Sequence, residues 1–210
     1  AGTSDGVDTP VEQILFAVPA ITDDDVAAVT AVLRSGWITT GAEAHLLEAE
    51  LAAYLGAEHV IAVSSCTAAL AIALAHLELP AGARVGVPAW TFISSALAAV
   101  HNNLHPVLLD VEPDTLNLSP TALEAALTEG LDAVVAVHFG GVAVDRRVHK
   151  LCADAGVPLI EDAAHALGTS DERGLVGGHG TYAACFSFYA TKNLTSAEGG
   201  AIATDDAGMA

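Results

Sequence analysis

Positive charge is what this sequence has least of. Across 210 residues there are 7 lysines and arginines against 26 aspartates and glutamates, a formal net charge of −19. Such a chain repels phosphate backbones and anionic bilayers, so the expectation is no nucleic acid and no membrane among its partners. An anionic ligand would have to be held by backbone N–H groups and hydroxyls as much as by cationic side chains. Cysteine is sparse too. Cys66, Cys152 and Cys185 are odd in number and form no C-x-x-C pair, which argues against a disulfide framework or a metal cluster and points to a reducing compartment, the cytoplasm. Long hydrophobic runs are missing. The longest apolar region, residues 60–79, is interrupted by Ser64, Ser65, Thr67, His76 and Glu78 and reads as strand, turn and helix, not as a membrane span. No charged segment followed by an apolar stretch opens the chain, so no signal peptide is expected. Internal repeats and low-complexity linkers are likewise absent.

What is present is ample material for a core: 52% of the residues are apolar, enough for one large domain. Residues 1–11, rich in Gly, Ser, Thr and Asp, read as a flexible tail, and residues 12–210 as the folded domain. A capping pattern at Thr22 opens a first helix that Gly36 ends, and a second, over residues 43–55, is closed by Gly56. After these, β-rich runs at 59–63, 84–87, 106–111, 133–137, 157–161, 183–188 and 200–204 alternate with alanine-rich helical segments at 67–77, 92–102, 120–128 and 144–155. Strands apolar on both faces and separated by helices predict an α/β fold, a mostly parallel seven-stranded sheet covered on both sides. The interval from residue 188 to 200 is too short for a helical crossover, so the last strand is expected to run antiparallel.

In open α/β sheets ligands gather beyond the carboxyl ends of the strands. After the first strand come Ser64, Ser65, Cys66 and Thr67, whose hydroxyls and N–H groups at a helix N-terminus suit a phosphate; a plain N-cap is the bland alternative. Trp90, after the second, is placed to stack on a flat ligand or else to pack in the core. His138 follows the fourth strand, either in the site or as a hydrogen-bonded core histidine. The fifth ends in Glu161 and Asp162, with His165 three residues on. Asp162 could pair with a protonated ring nitrogen, a buried carboxylate being costly unless something cationic meets it, or could simply cap a helix; Glu161 would point the opposite way. His165 falls near the same ring.

Only two lysines exist, Lys150 and Lys192. Lys192 sits between an apolar strand and a glycine pair, with Ser187 just before it. A surface turn is one reading. A desolvated amine able to form a Schiff base is the other. A phosphate seat, an aromatic plate, a carboxylate for a ring nitrogen and a lysine are together the parts that pyridoxal phosphate needs. A thiol enzyme using Cys66, with its pKa lowered at a helix N-terminus, is a weaker alternative.

Taken in order, Ser35-Gly-Trp-Ile-Thr-Thr-Gly41, Ser64-Ser-Cys-Thr-Ala-Ala-Leu70, Val87-Pro-Ala-Trp-Thr-Phe92, Pro106-Val-Leu-Leu-Asp110, Val137-His-Phe-Gly140, Glu161-Asp-Ala-Ala-His-Ala-Leu-Gly168 and residues 186–205 resemble the DegT/DnrJ/StrS family of pyridoxal-phosphate sugar aminotransferases. The resemblance implies the large domain of the aspartate-aminotransferase type of fold. It makes Lys192 the Schiff-base lysine, Asp162 the partner of the pyridine nitrogen and Trp90 the stacking aromatic. Cys66, Thr67 and Ser187 become phosphate contacts, and His165 lies beside the ring hydroxyl. Departures are Cys66 where Gly is usual, His165 where Gln is common, and Ser196-Ala197 where Thr-Gly is commoner. Family members continue into a C-terminal domain that these 210 residues do not include. The implied function is transfer of an amino group from an amino-acid donor to a keto-sugar or cyclitol-like small molecule, in secondary metabolism, by a homodimer. The alternative is a split or reduced homologue, working as a heteromer with a chain that supplies the missing domain or as a non-catalytic subunit. No arginine stands among the candidate site residues, so anchoring an anionic sugar nucleotide would fall to groups outside them.

Overall fold

The structure, a computed structural model, describes residues 14–178 and 180–210; the proposed tail at residues 1–11 lies outside them. Two helices come first, α1 (Asp23–Ser35) and α2 (Ala42–Leu55). α1 starts where the sequence says it should: the Thr22 hydroxyl accepts from Asp25 N–H while the Asp25 carboxylate accepts from Thr22 N–H, a reciprocal capping box. Gly36 and Gly56, both left-handed, end the two helices.

Then strands and helices alternate: β1 (His59–Val63), α3 (Cys66–His76), β2 (Arg84–Pro88), α4 (Ser94–His101), β3 (His105–Leu109), α5 (Pro120–Glu129), β4 (Ala133–Val137), α6 (Arg146–Ala155), β5 (Leu159–Asp162), the short pair β6 (Ser170–Asp171) and β7 (Gly174–Leu175), β8 (Ala183–Ser187) and β9 (Gly200–Thr204). Seven strands make one sheet in the order β1-β9-β8-β5-β4-β2-β3. Only β9 runs antiparallel, to β8 on one side and β1 on the other, as the short interval before it predicts.

Alternation along each strand sorts the core into two layers. Val135, Ile160, Cys185 and Ile202 face α3 and α4, whose Ala69, Leu70, Ala73, Ala98 and Ala99 are buried against them. On the other face, Ala184, Phe186 and Ala201 meet Leu51 and Leu55 of α2, while Val134 and Ala136 meet Leu123 of α5 and Val148 and Cys152 of α6.

Several boundaries differ from the sequence reading. β3 ends at Leu109 because Asp110 turns its carbonyl to Ser119 N–H and Val111 makes an isolated bridge with Leu118. β5 begins at Leu159, two residues late, because Val157 N–H still bonds Cys152 and closes α6. α4 begins at Ser94, after a tight turn in which Ser95 N–H bonds the Phe92 carbonyl. The β6–β7 hairpin was not anticipated; the Asp171 side chain forms its turn by accepting from Arg173 N–H.

One glycine decides how closely α3 approaches the sheet. A Cβ on Gly200 would lie 2.5 Å from Ser65 C and 2.7 Å from both Cys66 N and Phe186 O. All three are backbone atoms that cannot swing aside. Gly200→Ala should therefore destabilise the fold by about 3 kcal/mol or more, read as a lowered urea midpoint at unchanged slope; a loss under about 0.5 kcal/mol, the range of an ordinary surface change, would contradict this packing.

Candidate active site

Glu161 and Asp162 are neighbours in β5, so the pleat sends them to opposite faces. Both are buried. Their surroundings differ completely.

Glu161 faces α6. Its Oε1 accepts from His138 Nε2 at 3.1 Å and His149 Nε2 at 2.9 Å, its Oε2 accepts from Thr181 Oγ1 at 3.1 Å, and Arg173 stands 3.7 Å away. His138 receives the Val144 N–H on Nδ1 at 3.1 Å, which fixes its proton on Nε2, toward the carboxylate. Burial pushes the Glu161 carboxyl up, but the hydrogen bonds from the two histidines more than reverse it and hold it below its ordinary value. His138 is thus a hydrogen-bonded core histidine, remote from the face that carries Asp162.

Asp162 faces α3 and α4, and among the described residues its side chain is hydrogen-bonded to neutral donors. Ser95 Oγ donates to Oδ2 at 2.7 Å; Ala164 N–H reaches Oδ1 at 3.2 Å, and the Cys66 thiol is a distant 3.7 Å from the same oxygen. Among the described residues no cation forms an ion pair with it. At 4% exposure that is an uncommon state for a carboxylate, and one a cationic ligand would relieve.

The two lysines are now distinguishable. Lys150 is exposed and paired with Asp154 at 2.6 Å. Lys192 is partly buried, forms no ion pair among the described residues, and acts electrostatically on both Cys66 and His165, the same two groups that feel the Asp162 carboxylate. Both charges thus bear on Cys66 and His165. The loop that carries Lys192 is tied at several points: Phe188 N–H to Gly199 O, Ser196 N–H to Phe188 O, Lys192 N–H to Tyr189 O, and Asn193 Nδ2 to Leu167 O at 2.7 Å.

His165 is exposed beside this pair. Gly140, left-handed at φ 61° in the turn after β4, directs its N–H to His165 Nδ1 at 3.3 Å. Partial burial, and then the Lys192 charge, push the His165 pKa down against the pull of Asp162. A neutral ring with its proton on Nε2 results, a hydrogen-bond donor. Asn117 braces the turn, with Oδ1 taking Phe139 N–H and Nδ2 giving to the Val142 and Ala143 carbonyls. Trp90 is 53% exposed, so it is not core. It stands edge-on to Phe139, which stands edge-on to His165, with centroids 6.2 Å apart in each pair.

Ser65 caps α3 by accepting from Ala68 N–H, leaving Thr67 exposed in the first turn. Ser187 pairs in register with Gly200, and Gly200 abuts the backbone of Ser65 and Cys66, so Ser187 and the start of α3 lie side by side. Cys66 corrects the thiol-enzyme alternative: burial, followed by Asp162 and Cys185, pushes its pKa well up, the reverse of an activated thiolate. Sequence reasoning missed Ser95 and Asn117. A serine four residues after Thr91, one helical turn on, was the one available signal for the former.

The profile of the DegT/DnrJ/EryC1/StrS aminotransferases matches residues 19–210. The Bacillus subtilis spore coat polysaccharide biosynthesis protein SpsC is 41% identical over 196 residues, 93% of this chain and 50% of SpsC. Among solved structures, DesV of S. venezuelae superposes with a TM-score of 0.83 at 35% identity, covering 88% of this chain and 50% of DesV. Spr1654 of Streptococcus pneumoniae in its PLP-form superposes with a TM-score of 0.87 at 31% identity, covering 94% and 54%. The chain thus spans about half the length of the relatives it matches. Among the described residues no helix is long and apolar enough to cross a membrane.

The Glu161 cluster has a testable sign. A folded-state pKa below the ordinary 4.5 contributes stability that is complete above that value and drains away as pH falls toward the folded one. Glu161→Gln should be less stable than wild type at neutral pH, and the gap should narrow by about 1.4 kcal/mol per pH unit below the ordinary value. Urea titrations at several pH values give the gap directly; one that stays constant with pH would refute the assignment.

Proposed function

The chain belongs to the DegT/DnrJ/EryC1/StrS aminotransferase family, and on that premise we propose that it binds pyridoxal 5'-phosphate and transfers an amino group from an amino-acid donor to the carbonyl of a keto-sugar or cyclitol-like small molecule in secondary metabolism. The observation that carries this reading is Asp162: a buried carboxylate that among the described residues is held by neutral donors alone, within electrostatic reach of the same groups as a lysine with no ion pair among those residues.

The residues fit the cofactor. When bound, pyridoxal phosphate supplies an aldehyde that takes up amino groups and a protonated ring that withdraws electrons. Asp162 would keep the proton on the ring nitrogen. Neutral His165, with Nε2–H free to donate, would steady the ring hydroxyl. Trp90 offers an exposed aromatic face. The α3 N-terminus with Cys66 and Thr67, and Ser187 beside it, would receive the phosphate; backbone N–H groups serve where cations are few. Lys192 Nζ is the amine that would hold the aldehyde and, once displaced by the donor, carry a proton between the donor's carbon and the ring side.

The surface supports assembly. Val26, Val29 and Leu33 of α1, with Trp37, Ile38, Phe92 and Ile93, are all exposed, large apolar side chains of the kind an interface covers. A homodimer is the assembly we favour, and the comparisons lend no support to a heteromer. All three cysteines are free and buried, which suits the cytoplasm.

Borohydride reduction of the protein mixed with pyridoxal phosphate, followed by peptide mapping, should fix the pyridoxyl group on Lys192. Lys192→Ala should lose both the label and the visible absorbance. Labelling confined to Lys150, or no chromophore in wild type with excess cofactor, would overturn the proposal.

A further inference from the structure

Ser95 is fully buried in the first turn of α4, where a hydroxyl out of water needs partners. Its hydroxyl has one proton and three acceptors in reach: Asp162 Oδ2 at 2.7 Å, Thr91 Oγ1 at 2.7 Å and the Phe92 carbonyl at 3.2 Å. The charged acceptor at short range takes the proton, since hydrogen bonds to an anion are roughly twice as strong as neutral ones. Thr91 is then the donor to Ser95. The result is a directed chain, Thr91 to Ser95 to Asp162, ending on Oδ2. Oδ1 is held separately by Ala164 N–H at 3.2 Å. With each oxygen held by a different donor, the carboxylate plane cannot turn.

We infer that Ser95, oriented by Thr91, is a positioning residue that fixes the Asp162 carboxylate for a ring-nitrogen proton. The inference rests on the proposed pyridoxal-phosphate reading and deepens it. A helix from one side of the sheet thereby fixes an acceptor at the end of β5. The placement gives a role to a hydroxyl that is buried completely on this helix. Ser95 acts only through Asp162. Its loss should matter for a ligand with a protonated ring nitrogen and be silent for one without.

The test compares two ligands on the apo-protein by equilibrium binding: pyridoxal phosphate and its 1-deaza analogue, in which carbon replaces the ring nitrogen. Ser95→Ala should weaken pyridoxal phosphate by about tenfold and leave the analogue unchanged. Thr91→Val should give a smaller loss with the same selectivity, and Ser95→Thr, which keeps the hydroxyl, should restore wild-type discrimination. Circular dichroism melts report the folding of each variant independently. Equal losses for both ligands in Ser95→Ala, or discrimination unchanged from wild type, would overturn the positioning role. Failure of the wild-type protein to bind either ligand would instead overturn the cofactor reading beneath it. If Ser95→Ala does not fold, Thr91→Val decides alone: a loss specific to pyridoxal phosphate supports the chain and an unselective loss or none contradicts it.

Discussion

A carboxylate out of water with no cation touching it among the described residues is the constraint around which this molecule is arranged. Removing an ion from water costs several kcal/mol even after the surroundings relax, and the donors around Asp162 are a hydroxyl, a backbone N–H and a distant thiol. They orient the charge without neutralising it. Lys192 lies near enough to act on the same neighbours yet forms no ion pair among the described residues. A flat cation seated between them would complete the electrostatics.

Glu161 shows what the same chain does with a carboxylate it means to keep satisfied. One residue earlier in the same strand, it is met by two histidines, a threonine and an arginine. The contrast between the two faces of β5 separates a structural acid from one held open. Gly200 serves the same end from another direction. By letting the backbone of Ser65 and Cys66 come down onto the sheet, it brings the N-terminus of α3 beside Ser187.

Much of this was legible in the sequence because the relevant signals are local. Strand alternation put Glu161 and Asp162 on opposite faces, the short interval before residue 200 implied an antiparallel last strand, and the scarcity of lysine drew attention to Lys192. What escaped were facts of tertiary contact. Ser95 lies 67 residues from Asp162 and looks like any helical serine. Asn117 looks like a loop residue until its three bonds to the turn after β4 are seen. Cys66 was misleading: a helix N-terminus lowers a thiol's pKa, but burial and a neighbouring carboxylate decide otherwise here. His138 and Trp90 each admitted two readings; complete burial against Glu161 decides the first and 53% exposure the second.

The central claim concerns a single proton, and nitrogen-15 NMR sees it directly. With the protein loaded with pyridoxal phosphate labelled at the ring nitrogen, the account predicts a pyridinium resonance in wild type at neutral pH, lost when Asp162 is replaced by alanine. A wild-type resonance at the position of an unprotonated pyridine would contradict it.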